Sequence, residues 1–472
     1  MDTQVKQLND NETSIDQTLI EMLESRLRGD LLLPSHCEYE QARQIWNGMI
    51  DRHPAMIVRC MGTADVITTV KFASDHQLLL SVKSGGHNIA GSAVCEGGLM
   101  IDLSTMTGVT VDPVNKTAQV QCGALLGDVD HECQIFGLAV PTGINSTTGI
   151  AGLALGGGYG WLSRLLGHTV DNIISVDIVT AEGKFLHLSD NENTDLFWAI
   201  RGGSGNFGVV TKFEFALHNV GPTILSGPVV FPLEQARDVL KKYRLIAKNL
   251  PDEASCWTVM RKAPPFPFLD PKYHGQPVLV LAMAYVGDIR KGEQVLAPLR
   301  ELGQSIGDAV GPCPYKNWQS AFDPLLTPGS RNYWKSSDFT EISDAVIDIL
   351  LDAVTKLPSD ECEIFTAQLG GAASRVPSNA MAYPHRSTLY TMNIHGRWQN
   401  KTDDESSIAW VRTLFNSVEE HSTGSVYVNF VPEQDEIRKV GPYGANKAKL
   451  EHIKMKYDPK NLFRSNINIL PK

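Results

Sequence analysis

Residues 81–91 read SVKSGGHNIAG. A short apolar run, LLLSV, enters the polar pair Lys83 and Ser84 and then the glycines Gly85 and Gly86. These deliver His87, followed by Asn88 and, three residues on, Gly91. A glycine pair at the end of a strand presents successive backbone N–H groups, which make a nest for phosphate oxygens. The histidine is the odd member. One reading makes it a capping or hydrogen-bonding residue. A metal ligand needs partners at ligand spacing, and none of the 13 histidines forms HxH or HExxH. A Ser-His-Asp nucleophile system is not signalled, because the chain has no GxSxG. A third reading puts a cofactor diphosphate on the glycine turn and a covalent bond from the cofactor to the imidazole.

The neighbourhood alternates between strand and helix. AMIVRCMG (55–62) is an apolar strand, and TADVITTVKFASDHQ (63–77) has helical spacing with Thr63 as its cap. GGLMIDLSTM (97–106) is another buried strand. GVTVD (108–112) and TAQVQCG (117–123) form a hairpin, and LLGDVDHECQIFG (125–137) is a helix stopped by Gly137.

The next stretch, PTGINSTTGIAGLALGGGYGWLSRLLG (141–167), carries eight glycines interleaved with Ile150, Leu153, Leu155 and Trp161. A flexible linker seldom carries so much apolar side chain. Backbone lying against a flat ligand would have this composition, since side chains there would collide with it. NIISVDIVTAEGKFLHLS (172–189) gives two strands, NTDLFWAIRGG (193–203) a helix ending at Gly202, and VVTKFEFAL (209–217) a half-buried strand. Residues 203–208, GSGNFG, fit G-x-G-x-x-G, but a helix precedes them and a strand follows. The dinucleotide fingerprint needs the reverse order, so that site is rejected.

The charge balance, 42 basic against 53 acidic residues, is −11, which argues against nucleic acid or an anionic membrane as partner. No apolar stretch approaches 18 residues, and the polar start MDTQVKQLNDNETSI is a frayed lead-in rather than a secretory signal. The eight cysteines form no CxxC and read as reduced thiols of a cytoplasmic protein. Beyond about residue 219 the glycine clusters thin out, Pro-rich joints enter, and strands and helices alternate, as in a second, α+β domain.

Taken together, SVKSGGHN (81–88), GGLMIDLSTM (97–106), PTG (141–143), GIAGLALGGGYGWLSR (149–164), DLFWAIRGGSGNFGVVTKFEF (195–215), AYPHR (382–386), YVNF (427–430) and YDPKNLFRSNINILP (457–471) carry a resemblance. The chain resembles the FAD-linked oxidoreductases of the vanillyl-alcohol oxidase superfamily, in the berberine-bridge-enzyme-like branch. That resemblance implies an α+β fold: a two-part PCMH-type FAD-binding domain and a substrate domain of antiparallel sheet and helices. The implied division is a lead-in at 1–49, an FAD-binding part at 50–220, a substrate part at 221–424, and a C-terminal segment at 425–472 that returns to the FAD domain.

It also implies one covalent link from FAD through His87. Ser84, Gly85, Gly86 and Asn88 would surround the diphosphate. Gly143, Gly149, Gly152, Gly156, Gly157 and Gly158 would line the flavin, and Gly208, Val209 and Val210 the adenine end. Gly91, Pro141, Thr142, Asn145, Thr148, Asn429 and Asn468 complete the implied cofactor contacts. Hydride would pass from a small organic substrate (amine, alcohol or sugar, or secondary metabolite) to the flavin, with oxygen as the final acceptor and hydrogen peroxide as product. The rivals are a dehydrogenase with another acceptor and a flavoprotein that binds ligand without turnover.

Three departures from the branch matter. Asn145 stands where many members have a second flavin-linked cysteine, so a single link is expected. Thr148 stands where the family controls oxygen access and resembles the more open variants. Phe430 stands where plant members often place a tyrosine base, and a phenyl ring cannot accept a proton. This tilts the substrate toward an amine, which needs no base. In YTMNIHGRW (390–398), an extended chain would put Thr391, Asn393 and His395 on one face. Either this is a pocket wall, with Asn393 and His395 catalytic beside Tyr159 and Tyr427, or it is a solvated face. Tyr333 and Lys335 are weaker candidates. No metal site is expected, and the oligomeric state is left open.

Overall fold

The computed structural model describes residues 2–432, 440–465 and 467–472. The polar start is not a frayed lead-in. Thr3–Lys6 and Glu12–Ile15 pair as an antiparallel ladder, with Val5 and Ile15 turned into the core, ahead of the helix Gln17–Glu24. Alternation of apolar with polar residues outweighed the polar composition here.

Three sheets organise the rest. The first runs Asp30–Leu32, Met56–Arg59, Leu99–Asp102, Leu80–Lys83. Its last three strands are parallel, and the helix Thr63–Asp75 makes the crossover. MIVR and LMID are almost continuously buried, as expected of parallel strands covered on both faces. The helix is capped by Gly62, and Thr63 is its first residue, one place later than its hydroxyl would suit. The SGGH turn leaves the carboxyl end of Leu80–Lys83, the edge where parallel sheets place ligands.

The second sheet is antiparallel, in the order Phe185–Ser189, Ile173–Val179, Val209–Ala216, Thr117–Gln121, Val109–Asp112. Phe213 and Phe215 are buried, while Lys212 and Glu214 are partly exposed.

The third sheet belongs to the middle of the chain and has eight strands. Ala254–Lys262, Glu363–Gln368, Tyr390–Trp398 and Arg331–Phe339 are consecutive neighbours in it. All nine residues of Tyr390–Trp398 are buried, so the solvated-face alternative is wrong. The two-residue period still holds. Tyr390, Met392 and Ile394 enter a core shared with the helices Ala236–Ala247, Asp344–Val354 and Asp404–Val418. Thr391, Asn393 and His395 take the opposite face. On that face Trp257 and Phe365 join the main core of the first two sheets.

A helical turn and loop at residues 315–326 clamp the two halves together. Gln319 Nε2 donates to Thr142 Oγ1 at 2.8 Å, the Ser146 amide donates to Asp323 Oδ1 at 2.9 Å, and Asn145 Nδ2 donates to the Leu326 carbonyl at 3.3 Å.

Candidate active site

A cavity of about 270 Å³ lies between the glycine-rich loops and the third sheet. Its walls include Ser84, Gly85, Gly86, His87 and Asn88 from the turn, and Gly143, Asn145, Thr148, Gly149 and Gly152 from the 141–152 loop. Gly208, Val209 and Val210 also line it, as do Tyr159, His395, Tyr427 and Asn429.

Glycine is required at Gly85 and Gly149 because two backbones meet there. A Cβ on Gly85 would sit 2.3 Å from the Gly149 nitrogen, and one on Gly149 would sit 2.4 Å from the Gly85 nitrogen. The turn and the loop are thereby held together, with His87 projecting beyond the contact.

The His87 ring stacks on Trp46, centroids 5.0 Å apart. Its Nε2 is 2.8 Å from Thr147 Oγ1, and its Nδ1 is 3.4 Å from Thr148 Oγ1. Thr147 Oγ1 donates to Asn145 Oδ1 at 2.6 Å. A hydroxyl that has spent its proton on an amide oxygen accepts from the imidazole, so Nε2 carries the hydrogen and Nδ1 keeps its lone pair. Burial pushes the imidazole down to about 3, so it is neutral at physiological pH.

Several sequence-predicted residues do not line this cavity. In the Gly156–Gly158 run, the glycines make room for protein. A Cβ would strike the Asn429 side chain at Gly156, the Tyr383 ring at Gly157 and the Thr169 side chain at Gly158. Gly91 has φ +74° and packs on Ile50. Pro141 and Thr142 lie behind the wall, where Thr142 meets Gln319. Asn468 is also outside the lining, and its buried Oδ1 has no partner among the described residues. Asn466, within the C-terminal motif, is outside the described residues. Asn393 is fully buried just behind the wall, and neither of its amide atoms has a partner among the described residues. Thr391 Oγ1 donates to Asp338 Oδ1 at 2.8 Å. Tyr333 and Lys335 do not reach the cavity: the Tyr333 hydroxyl accepts from Arg412 and the Lys335 ammonium lies over the Phe415 ring.

The surroundings of His395 are aromatic. Trp334, Phe365 and Phe430 lie around its ring, and Trp257, Tyr159 and Tyr427 line the same cavity. Tyr427 OH accepts from the Gly158 amide at 3.0 Å and from Asn429 Nδ2 at 2.8 Å. Burial pushes that phenol up to about 12, against the pull of those two donors, so it stays protonated. The His395 ring lies flat on Trp334, centroids 4.1 Å apart at 12°. His395 Nδ1 is 3.0 Å from Glu363 Oε1, and Arg261 Nη1 donates to Glu363 Oε2 at 2.6 Å.

Sequence reasoning missed Glu363 and Arg261, as well as Trp46, Trp257, Trp334 and Thr147. Glu363 had a local signal, a carboxylate opening the apolar run EIFTAQ. The others had none: the register of the third sheet brings in Arg261, Trp257 and Trp334, and tertiary packing brings Trp46 and Thr147 to His87.

Residues 54–189 match the FAD binding domain family, and residues 426–470 match the berberine and berberine-like family. An FAD-linked oxidoreductase of Dictyostelium discoideum is 32% identical, over 92% of this chain and 93% of that protein. The solved 6-hydroxy-D-nicotine oxidase of Arthrobacter nicotinovorans is 26% identical with a TM-score of 0.84, covering 94% of this chain and 98% of its own. A solved chitooligosaccharide oxidase is 26% identical with a TM-score of 0.82, covering 96% and 99%. The chain belongs to the berberine-bridge-enzyme-like FAD-linked oxidoreductases. It is an FAD-dependent enzyme with a PCMH-type α+β fold.

The residues present fit FAD. Gly152 faces open space, with no atom within 4 Å of where a Cβ would be, so a flat ring can approach the loop backbone. Ser81 Oγ, at the cavity wall, is buried without a partner among the described residues. Arg464 supplies a positive charge to the lining, and among the described residues no carboxylate lines the cavity. A phosphate-bearing ligand is suited by both.

Proposed function

We propose that this protein is an FAD-dependent oxidase acting on a small organic substrate. FAD, attached through His87 alone, would accept a hydride and pass the electrons on to oxygen, giving hydrogen peroxide. The observation that carries this reading is that His87 and His395 line one cavity, linked along it by the rings of Trp46 and Trp334. His87 stands at the end of the phosphate-type turn, and His395 on the substrate sheet with its Nε2 unpartnered among the described residues.

Nδ1 of His87 is the nitrogen available for the link, since Thr147 holds Nε2. Ser84, Gly85, Gly86 and Asn88 would hold the diphosphate, with Gly208, Val209 and Val210 at the adenine end. Tyr159, Tyr427 and His395 would face the substrate, with Asn393 behind them. The aromatic walls exclude water and hold an apolar or ring-shaped substrate. Relatives are named for a hydroxynicotine and for chitooligosaccharides, which keeps both amine and sugar within the class. The division into a cofactor part, 50–220 with 425–472, and a substrate part, 221–424, is supported by the separation of the sheets. Among the described residues no helix is long and apolar enough to cross a membrane. A cytoplasmic location is part of the proposal.

The test is anaerobic mixing of purified holoenzyme with alcohols, aldoses and cyclic amines, followed by readmission of air. Bleaching of the flavin and its rapid return with stoichiometric peroxide are expected. Bleaching that only an artificial acceptor reverses would make the protein a dehydrogenase.

A further inference from the structure

Arg261, Glu363, His395 and Trp334 form one row across four adjacent strands. Glu363 is in register with Arg261 on one side and with His395 on the other, and His395 is in register with Trp334. Directly opposed residues point to the same face of a sheet, so the four side chains stand in line on the cavity side. The Glu363 carboxylate is 90% buried and bonded at both oxygens, to Arg261 and to His395. A carboxylate accepts only, so His395 Nδ1 carries the hydrogen and Nε2 the lone pair. That Nε2 is buried, has no partner among the described residues, and belongs to a ring that lines the cavity. Trp334 on one face and the Phe365 edge, centroid 4.9 Å away, fix the ring plane.

We propose that Glu363 is the positioning residue for a His395 base, and that the substrate carries a hydroxyl on the carbon to be oxidised. This rests on the FAD-dependent oxidation proposed above. The Phe430 substitution favoured an amine because it removed a base. The structure supplies one beside it: the His395 ring stands 6.5 Å from the Phe430 ring, centroid to centroid, on the same cavity wall. An imidazole oriented by a buried carboxylate is the arrangement that takes an O–H proton. The step balances. The hydroxyl proton goes to Nε2, the C–H bond breaks with its electron pair leaving as hydride to FAD, and the C–O bond becomes a carbonyl. The proton then leaves Nε2 for solvent. An amine in its neutral form would make no use of this row.

The charges around His395 are balanced. Arg261 and Glu363 pair on one side. Arg397 pairs with Glu361 at 2.8 Å and also donates to the Thr327 carbonyl. Lys335 on the neighbouring strand turns away to Phe415, and the cavity-lining Tyr159 and Tyr427 are neutral phenols. Burial lowers the His395 imidazole from its ordinary value, while Glu363 pulls it back up. It therefore rests neutral, as a base must.

The test uses FAD-loaded protein with benzyl alcohol, D-glucose and cellobiose as hydroxyl probes and benzylamine as control, followed by anaerobic flavin bleaching from pH 5 to pH 9. A hydroxyl probe is expected to bleach the wild type at a rate that rises to a plateau on the acid side of neutrality. Glu363→Gln should slow bleaching by about 10²-fold with little change in apparent affinity. It should also move the inflection to lower pH, because the anion that holds the imidazole up is gone. Glu363→Asp should recover part of the rate. His395→Ala should be as slow as the double variant with Glu363→Gln, because the two act as one unit. A melting temperature close to wild type in each variant shows that the fold is intact. A Glu363→Gln rate within twofold of wild type, or an unmoved profile, overturns the positioning role. Bleaching by benzylamine alone, or by none of the probes, overturns the hydroxyl class. Peroxide on readmitting air reports separately on the oxidase reading.

Discussion

Thr147 Oγ1 lies 2.8 Å from His87 Nε2 and gives its own proton to Asn145 Oδ1. The pair fixes which ring nitrogen is free. Thr147→Val keeps the shape and removes the acceptor, so both tautomers become populated. A measurable fraction of flavin should then be released on acid precipitation, while wild type keeps its flavin on the protein. His87→Ala should release all of it. In-gel fluorescence after denaturation reads the three cases, and full retention in His87→Ala would falsify the link.

The same geometry bears on the number of links. Asn145 is buried, with its amide tied to the Leu326 carbonyl and to Thr147. Cys122 and Cys133 are buried in the hydrophobic core rather than at the cavity wall. A flavin-bearing peptide from a protease digest should contain residue 87 and no cysteine adduct. Asn145→Ala should leave residue 87 as the site of attachment, with a lower yield because Thr147 loses the acceptor for its proton, while lowering stability by about 1–2 kcal/mol, the worth of the lost hydrogen bonds. A cysteinyl-flavin mass would show a second anchor.

How much of this was legible beforehand depends on sequence distance. The SGGH turn, the strands around it and the alternation of Val209–Ala216 are local patterns, and they read correctly. The glycine run 156–158 signals backbone against a flat ligand, whereas in the structure it makes room for protein side chains. Its neighbours Asn429, Tyr383 and Thr169 come from three distant segments. The Glu363–His395 pair spans 32 residues and the Arg261–Glu363 pair 102. Only sheet register unites them, and register is set by the whole fold rather than by a motif. The N-terminal hairpin was missed because its alternation is short and its composition polar.

Asp130 offers a pH test unconnected with the chemistry. It is buried on the helix Leu126–Gln134, where Gln319 Nε2 donates to its Oδ2 at 3.2 Å. Burial pushes its carboxyl up to about 7, against the pull of that bond. A raised folded value means that this group's contribution is fully present below the unfolded value near 3.9. It is lost as pH rises through about 7. Asp130→Asn removes the titration. His87, pushed down to about 3, and His168, pushed down to about 4, act in the opposite sense and are common to both proteins. The difference between the two unfolding curves therefore isolates Asp130. The variant should match wild type near pH 4 and exceed it above pH 8, by up to about 4 kcal/mol. A pH-independent difference would refute the assignment.

Thr148 lines the cavity, with its hydroxyl 3.4 Å from His87 Nδ1. Thr148→Leu puts a larger apolar group beside the proposed flavin attachment. If oxygen reaches the flavin past this residue, reoxidation should slow by tenfold or more while reduction by substrate changes little. Stopped-flow traces of the two half-reactions separate the effects. Equal slowing of both would show a general distortion of the site.

Asn393 supplies the last prediction. It is fully buried, it shares the sheet face of His395, and neither amide atom is paired among the described residues. A buried amide without partners costs about 1–3 kcal/mol, and an apolar residue of the same shape avoids that cost. Asn393→Leu should therefore leave the substrate-free protein as stable as wild type or more stable, by melting temperature at matched flavin content. A residue kept only for packing would show no further effect. If instead the amide serves the substrate side, the same variant should reduce its flavin at least tenfold more slowly at low substrate concentration, with the pH dependence set by His395 unchanged. Gain of stability with loss of turnover is the signature of a polar group retained for chemistry. Loss of stability with normal turnover would place Asn393 in the structure alone.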